Sequence, residues 1–394
     1  MIGDLWRGTW FDRDRLIRYG QLLMFAQAVA VLILLFRDRQ AGDNLGITDF
    51  LGFFAAGDLA ASGEPASAYD YARHLWAERR LVPSLDDYIA FFYPPMFLLV
   101  LTPLSLLGYP LAFVAWSILK SIAYAAALLT ILRDRARLWP LLALPAAYLD
   151  LWAGQNGLLA AALFGFATVA IDRRPVLAGL AFGALCFKPQ LAPLVAVALI
   201  AGGRWLALGS AMAAGLALAA ASWIAFGTET WRAFIAYSAH APTVFAAGGV
   251  DWGLMASPFA ATRALGGDVT LAGTIQGAFT LGAAVSVGIV WRRAESLAIR
   301  SSVLISGVMI ASPVLLFYDL ALSGIAFAWI WEDGRLRGWW NGEKLGLLVL
   351  FLGPLLAKSL GAQTHLPVSV LVGLGLFGLA LDRARNPSRE KGCR

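Results

Sequence analysis

The sequence predicts an all-α polytopic membrane protein, and three observations carry that prediction. Of the 394 residues, 59% are hydrophobic and only 14% charged, whereas soluble domains run nearer 45–50% apolar and about 25% charged. Apolar runs of the length that crosses a ~30 Å hydrocarbon core, roughly 17–25 residues, recur along almost the whole chain. Short charged punctuation separates them. Because lipid offers no partner for a backbone N–H or C=O, such runs must be helices unless they close into a barrel.

The runs place helices at about 16–36, 94–108, 110–132, 138–153, 156–171, 175–201, 204–226, 269–291, 298–315, 317–332, 344–361 and 366–382. They read as one transmembrane domain over residues 1–394 with about 10–12 membrane helices. The first run, Leu16 to Phe36, follows Arg13, Arg15 and Arg18, precedes Arg37-Asp38-Arg39 and has no small-residue cleavage site. It reads as a retained helix rather than a signal peptide. Two segments read as non-membrane: 37–93, with nine acids against five arginines, and 227–268, rich in Gly, Ala and Trp. Both exceed ordinary connections and are therefore expected to carry function. The first contains Leu51–Ala61, read as an amphipathic stretch, and a second charged helix near 71–80, so two short helices are expected flat on the membrane surface.

The net charge of +6 does not call for nucleic acid, since the basic residues cluster at helix flanks: Arg292-Arg293 to Arg300, Arg335 to Lys344, and Arg383 to Lys391. That is the positive-inside pattern. It places both ends in the cytoplasm, with 383–394 as a basic cytoplasmic tail, and both long segments outside. A strict count of twelve spans conflicts with it, because Arg133, Arg135, Arg137 and Arg173-Arg174 would fall outside. The conflict is relieved if 94–108, which contains Pro94, Pro95 and Pro103, and the Lys188-Pro189 region are re-entrant.

Candidate chemical residues lie at the ends of these runs. Asp49 directly precedes an apolar stretch, where either it or Thr48 can cap a helix starting at Phe50. The functional reading makes Asp49 a general base at the membrane surface, its pKa raised by partial desolvation. Lys188 sits in Leu185-Cys186-Phe187-Lys188-Pro189-Gln190, deep in an apolar segment. A charge at bilayer depth costs about 2.5–3.5 kcal/mol even on lenient scales and marks function by default. With Pro189 opening the helix beside it, Lys188 makes a cationic notch suited to an anion. Asp150-Leu151-Trp152-Ala153-Gly154-Gln155-Asn156-Gly157 reads either as a tight interhelical turn or as ligand contacts from Gln155 and Asn156. Ser312-Pro313 followed by Phe317-Tyr318-Asp319 reads as a helix-breaking turn or as an acid that binds sugar hydroxyls or a cation.

Other patterns carry less. His74, His240 and His365 are dispersed, Cys186 and Cys393 are too few for a disulfide framework, and no metal is expected. Gly373-Leu-Gly375-Leu-Phe-Gly378 matches a dinucleotide fingerprint but lies in an apolar run, so close helix packing explains it better; the same holds for Gly179 and Gly183.

The order of these features resembles the GT-C superfamily of integral membrane glycosyltransferases, and within it glycosyltransferase family 87, which includes mannosyltransferases acting on phosphatidylinositol mannosides. The pieces that match are Asp49-Phe50 with Phe53-x-Ala55-Ala56-Gly57, Tyr93-Pro94-Pro95 with Pro103, Gly154-Gln155-Asn156, Ala178-Gly179 through Lys188-Pro189, and Ser312-Pro313. The resemblance implies a GT-C-like bundle whose long first extracytoplasmic loop carries a catalytic Asp, which maps to Asp49. It implies a bacterial inner-membrane enzyme whose site faces the periplasm or cell exterior. The implied donor is a polyprenyl-phosphate-linked sugar, the acceptor a lipid or glycan, and the outcome inversion without a cofactor. Lys188 or Arg263 is then the cation for the leaving phosphate, and Gln155, Asn156, Asp319, Tyr93 and Tyr318 are the candidate substrate contacts. Tyr318-Asp319 departs from the mannosyltransferase pattern. The competing reading is a transporter or flippase that binds a polar substrate on the same intramembrane charges, although the chain shows no internal repeat.

Overall fold

The fold is taken from a computed structural model that describes residues 2–40, 48–293, 296–364 and 368–386. Gly46 and Ile47 of the first long segment, His365, and the tail beyond Asn386 with Lys391 and Cys393 lie outside the described residues. The chain is all-α, and among the described residues extended backbone pairs only at an isolated bridge between Met255 and Leu316.

A short α1 (Ile2–Arg7) precedes α2 (Arg13–Gln40). The polar segment then folds as α3 (Phe50–Ala61) and α4 (Tyr71–Leu81), the short α5 (Leu98–Ser105) follows it, and α6 (Tyr109–Ile131) crosses the bundle. Next come α7 (Leu138–Leu142) and α8 (Pro145–Ala153), α9 (Gly157–Ala170), α10 (Pro175–Gly183) and α11 (Ala192–Ala201). The long α12 (Trp205–Ser238) leads through α13 (Ala241–Ala246) and α14 (Pro258–Ala264) to α15 (Val269–Arg292), and α16 (Leu297–Ala311), α17 (Leu322–Arg337), α18 (Glu343–Thr364) and α19 (Val368–Arg385) close the bundle. By length and composition α6, α12 and α15 each suffice to cross a membrane, and shorter apolar helices such as α9, α11 and α16 pack among them. Large exposed apolar side chains line their outer faces, including Leu111, Ile118 and Ile122 on α6 and Met212, Leu216 and Ile224 on α12. That is the surface lipid covers in an integral membrane protein.

Two breaks settle how the chain is threaded. The expected helix over 94–108 is only an eight-residue α5 containing Pro103, about 12 Å at 1.5 Å per residue and too short to span. The expected continuous helix over 175–201 is two helices joined by 3₁₀ turns at Ala184–Phe187 and Pro189–Leu191. The chain therefore runs into the bundle along α10, turns at Lys188-Pro189, and runs back along α11. Both sites lack helical hydrogen-bond donors because proline supplies none.

This threading gathers the basic clusters in one layer. Asp172, after α9, binds Arg300 of α16 at 2.7 Å and also pairs with Arg204 before α12. Ser296 before α16 donates to Asp333 of α17 at 3.3 Å, and Asp333 accepts from Arg383 of α19 at 2.6 Å. Arg13 of α2 donates to Asp134 after α6 at 2.8 Å. Arg133, Arg137 and Arg173-Arg174 thus join the other clusters, and the conflict of the strict twelve-span count disappears. At the opposite end the two long polar segments meet: the hydroxyls of Tyr88 and Tyr237 are 3.0 Å apart, and Phe92 stacks on Tyr237 at 4.9 Å between ring centres. The second segment differs from the expected loop in beginning as helix, since α12 continues past a kink at Gly227 (φ 78°) to Ser238. Because these segments touch, single cysteines at Ser67 and Gly249 in a cysteine-free background should react with a membrane-impermeant maleimide from the same side. Reaction from opposite sides would contradict the fold.

One expectation is corrected. The stretch Leu51–Ala61 was expected to be amphipathic and surface-lying, but α3 is buried on nearly every side from Phe50 to Ala60. Asp58 is its one charge, and a helix apolar all round belongs inside protein. Instead α4 supplies the amphipathic cover, burying His74, Ala77 and Glu78 against α3. His74 Nε2 lies 3.1 Å from the Gly52 carbonyl oxygen, which fixes that nitrogen as the donor. Glu78 accepts from the backbone N–H of Ile89 at 3.3 Å. Burial pushes Glu78 up to about 7 and His74 down to about 4, so His74 is neutral at physiological pH.

The glycines predicted to serve packing do so. A Cβ on Gly179 would stand 2.3 Å from the Ala207 carbonyl oxygen, and one on Gly183 would stand 2.4 Å from that of Ala211. Backbone contact between α10 and α12 at this range is the small-residue packing of membrane helices.

Candidate active site

The polar residues of the bundle converge at the end opposite the basic layer. Their geometry starts from the turn between α8 and α9. Gly154 ends α8 in the left-handed region at φ 69°, a conformation that costs other residues about 1–2 kcal/mol. A Cβ there would also stand 2.5 Å from Cβ of Phe50, so this glycine lets the turn lie directly against the start of α3. Trp116 of α6 donates to the Gly154 carbonyl at 3.0 Å. The turn is thereby held on both flanks.

The buried ammonium of Lys120, on α6, anchors the turn further. Its Nζ donates to the Asp150 carboxylate at 2.7 Å and to the backbone carbonyls of Asp150 and Gln155 at 3.0 and 2.6 Å. Those three bonds use all three N–H groups of a lysine. The other carboxylate oxygen of Asp150 accepts from the N–H of Gly157 at 2.6 Å. Asp150 is therefore a structural counter-ion, and the turn reading of 150–157 holds for it. Lys120 escaped the sequence reading, although it stands within the apolar run 110–132 and the argument applied to Lys188 applies to it equally.

What this anchored turn presents is Gln155. Its Nε2 donates to Asp49 Oδ2 at 3.0 Å, and its Oε1 accepts from the Tyr93 hydroxyl at 3.1 Å. Asp49 is half-buried at the start of α3 and makes no side-chain capping bond, nor does the Thr48 hydroxyl. The capping role anticipated for either residue is thus not what orients it. Asn156, next in the turn, is fully buried, and its amide stands within interaction range of the Tyr93 hydroxyl but makes no well-aligned hydrogen bond among the described residues. A buried amide this poorly satisfied is suited to take a hydrogen bond from or give one to a polar ligand.

Lys188 reaches the cluster from the break between α10 and α11. It pairs with Asp319 Oδ1, and its Nζ lies 5.6 Å from the centre of the Tyr318 ring. Phe187 stacks on Phe97 at 5.3 Å, and Phe97 packs on Tyr93 at 5.1 Å, so an aromatic floor joins the lysine break to the Gln155–Asp49 pair. Asp319 Oδ2 accepts from the backbone N–H of Leu316 at 3.2 Å. Tyr93 and Tyr318 both lie within electrostatic reach of Asp49, Asp150 and Asp319. Seven of the eight sequence candidates therefore come together. Arg263 does not join them: it donates to the carbonyls of Gly267 and Ala246 at 2.8 and 3.1 Å and lies over the Trp252 ring at 4.4 Å.

With this geometry in place, residues 91–318, more than half of the chain, match the family model of glycosyltransferase family 87. The chain belongs to glycosyltransferase family 87. It is an integral membrane glycosyltransferase, which sets aside the transporter reading. Curated proteins and solved structures gave no significant match. The family segment includes Tyr93, Gln155, Asn156, Lys188 and Tyr318, whereas Asp49 lies before it and Asp319 one residue beyond. Hydrogen bonds tie both acids to residues inside the segment.

The acids of this family 87 site differ in what they can do. Asp150 and Asp319 are each committed to a lysine and a backbone N–H. Asp49 accepts from the neutral amide of Gln155, which orients its carboxylate toward the cluster. The lysines differ too. Lys120 is saturated by protein acceptors, while among the described residues Lys188 gives one N–H to Asp319 and leaves two for a ligand.

Proposed function

We propose that the protein transfers a hexose of mannose type from a polyprenyl-phosphate-linked donor to a lipid or glycan acceptor at the extracytoplasmic face, with inversion and Asp49 as general base. The observation that carries this reading is the pairing, in one cluster, of a carboxylate held by a neutral amide with an ammonium that has donors to spare. The acceptor hydroxyl oxygen attacks the anomeric carbon as the bond from that carbon to the phosphate oxygen breaks, and Asp49 takes the hydroxyl proton. The electron pair of the broken bond leaves on polyprenyl phosphate. Lys188 stabilises that developing charge with its two remaining N–H groups, held in place by Asp319. Asn156, Tyr93 and Tyr318 supply amide and hydroxyl partners for the sugar. The outward orientation follows from the basic layer, which the positive-inside rule keeps in the cytoplasm.

The test is transfer by purified protein in liposomes, with a radiolabelled polyprenyl-phosphate hexose offered in parallel with the matching nucleotide sugar. Transfer should occur from the lipid donor alone, and the anomeric configuration of the product should be opposite to that of the donor. Equal transfer from the nucleotide sugar would overturn the donor class. Lys188→Met should lower turnover by about 10²–10³-fold, the usual effect of removing one transition-state donor. Because that change strands Asp319, the pair Lys188→Met with Asp319→Asn is the companion variant. It buries no net charge and should remain equally inactive. Normal turnover in either would assign the phosphate to another residue.

A further inference from the structure

At the basic end, far from Asp49, the helices α2, α7, α17 and α18 enclose a cleft of about 300 Å³. That is the lower end of the range, about 300–1,000 Å³, in which proteins hold small ligands. Its walls are apolar, with Leu16, Leu23, Leu132, Phe327, Leu348 and Phe351 among them. The cleft opens to the lipid-facing side, because Tyr19 and Leu352 line it and are 51% and 38% exposed. Two cations, Arg137 before α7 and Lys344 on α18, line the cleft close enough for their like charges to interact.

The local charge does not balance. Arg137 lies 3.3 Å from Asp134, but Asp134 also holds Arg13 at 2.8 Å, so one carboxylate serves two guanidinium groups. The Arg137 atom in that pair is its buried Nε, which faces Asp134 without the alignment of a hydrogen bond. Lys344 donates to a neutral acceptor, the Gly8 carbonyl, at 3.1 Å. Glu332 and Glu343 lie within electrostatic reach of Arg137 and Lys344, but their hydrogen bonds go to other cations, Arg335 at 3.0 Å and Arg383 at 2.6 Å. An apolar cleft open to lipid under a positive rim fits one chemistry.

We propose that this cleft is a binding site for an anionic phospholipid, its acyl chain between α2, α17 and α18 and its phosphate on Arg137 and Lys344. A soluble anion would not use the apolar walls, and a zwitterionic lipid would not use both cations. Basic pockets between membrane helices at the cytoplasmic side are where acidic headgroups collect.

The experiment is native mass spectrometry of the full-length protein, purified in detergent and equilibrated with equal amounts of phosphatidylglycerol and phosphatidylcholine of the same acyl chains. Wild type should retain phosphatidylglycerol in preference, by about fivefold for each cation at the site. The double variant Arg137→Gln with Lys344→Gln should bring the ratio near one, Lys344→Arg should preserve it, and Leu348→Trp should reduce binding of both lipids by filling the cleft. Arg173→Gln, an exposed cation of the same layer outside the cleft, should leave the ratio unchanged. Equal retention of the two lipids by wild type overturns the proposal. So does a preference that survives the double variant, one that Arg173→Gln lowers as much, or a Leu348→Trp protein that binds both lipids as wild type does.

Discussion

Asp49→Asn should fold, insert and bind donor, yet transfer sugar about 10²–10⁴-fold more slowly, the contribution of a positioned general base. The structure makes the substitution clean. Asparagine keeps an oxygen able to accept from Gln155 Nε2, and the helix loses no cap, because the Asp49 side chain makes no capping bond. A change in rate therefore reports proton acceptance rather than stability. The measurement is transfer at saturating donor, with donor binding recorded separately by the same labelled lipid. An Asp49→Asn enzyme within a few-fold of wild type removes Asp49 from the chemistry. Asp319 would not replace it readily, since both of its oxygens are engaged by Lys188 and the Leu316 N–H.

Much of the site was legible because lipid makes polar residues conspicuous. A lysine inside an apolar segment, an acid at the head of an apolar stretch and a Gly-Gln-Asn turn each need a partner, and the sequence places them at helix ends that topology brings together. What the sequence conceals is which polar group answers which. Lys188 and Asp319 are 131 residues apart, and Gln155 and Asp49 are 106 apart, so no local spacing links them. Arg263 was readable as a phosphate ligand by charge alone. Whether backbone carbonyls already occupy its guanidinium depends on how 246 and 267 fold around it.

The fold was legible in kind and less so in path. Composition identifies membrane helices, but an apolar run shows its length and not its direction, so 175–201 reads as one helix until Lys188-Pro189 is seen to reverse it. The misreading of α3 has a similar origin. A buried helix and a membrane-lying one can share a composition, and the difference lies in the cover from α4 and α5, which arrives later in the chain.

Lys120→Met should be the most destabilising single substitution at the site, costing about 3–5 kcal/mol, the range for breaking a buried ion pair by removing one partner. The ammonium serves three acceptors, and its loss leaves the Asp150 carboxylate buried with the Gly157 N–H as its one remaining donor among the described residues. Asp150→Asn should cost less, because Lys120 still donates to the carbonyls of Asp150 and Gln155. Combining Lys120→Met with Asp150→Asn removes both charges, so the double variant should be more stable than Lys120→Met alone, and the cycle should show a coupling of at least ~1 kcal/mol. Reversible unfolding in mixed micelles, followed by tryptophan fluorescence, supplies the free energies. The loss of the bond to the Gln155 carbonyl should also slacken the turn that aims its side chain at Asp49. Activity per folded molecule should therefore stay low in the double variant even where stability returns. Additive effects in the cycle, or full activity in the double variant, would show that the turn stands without its lysine.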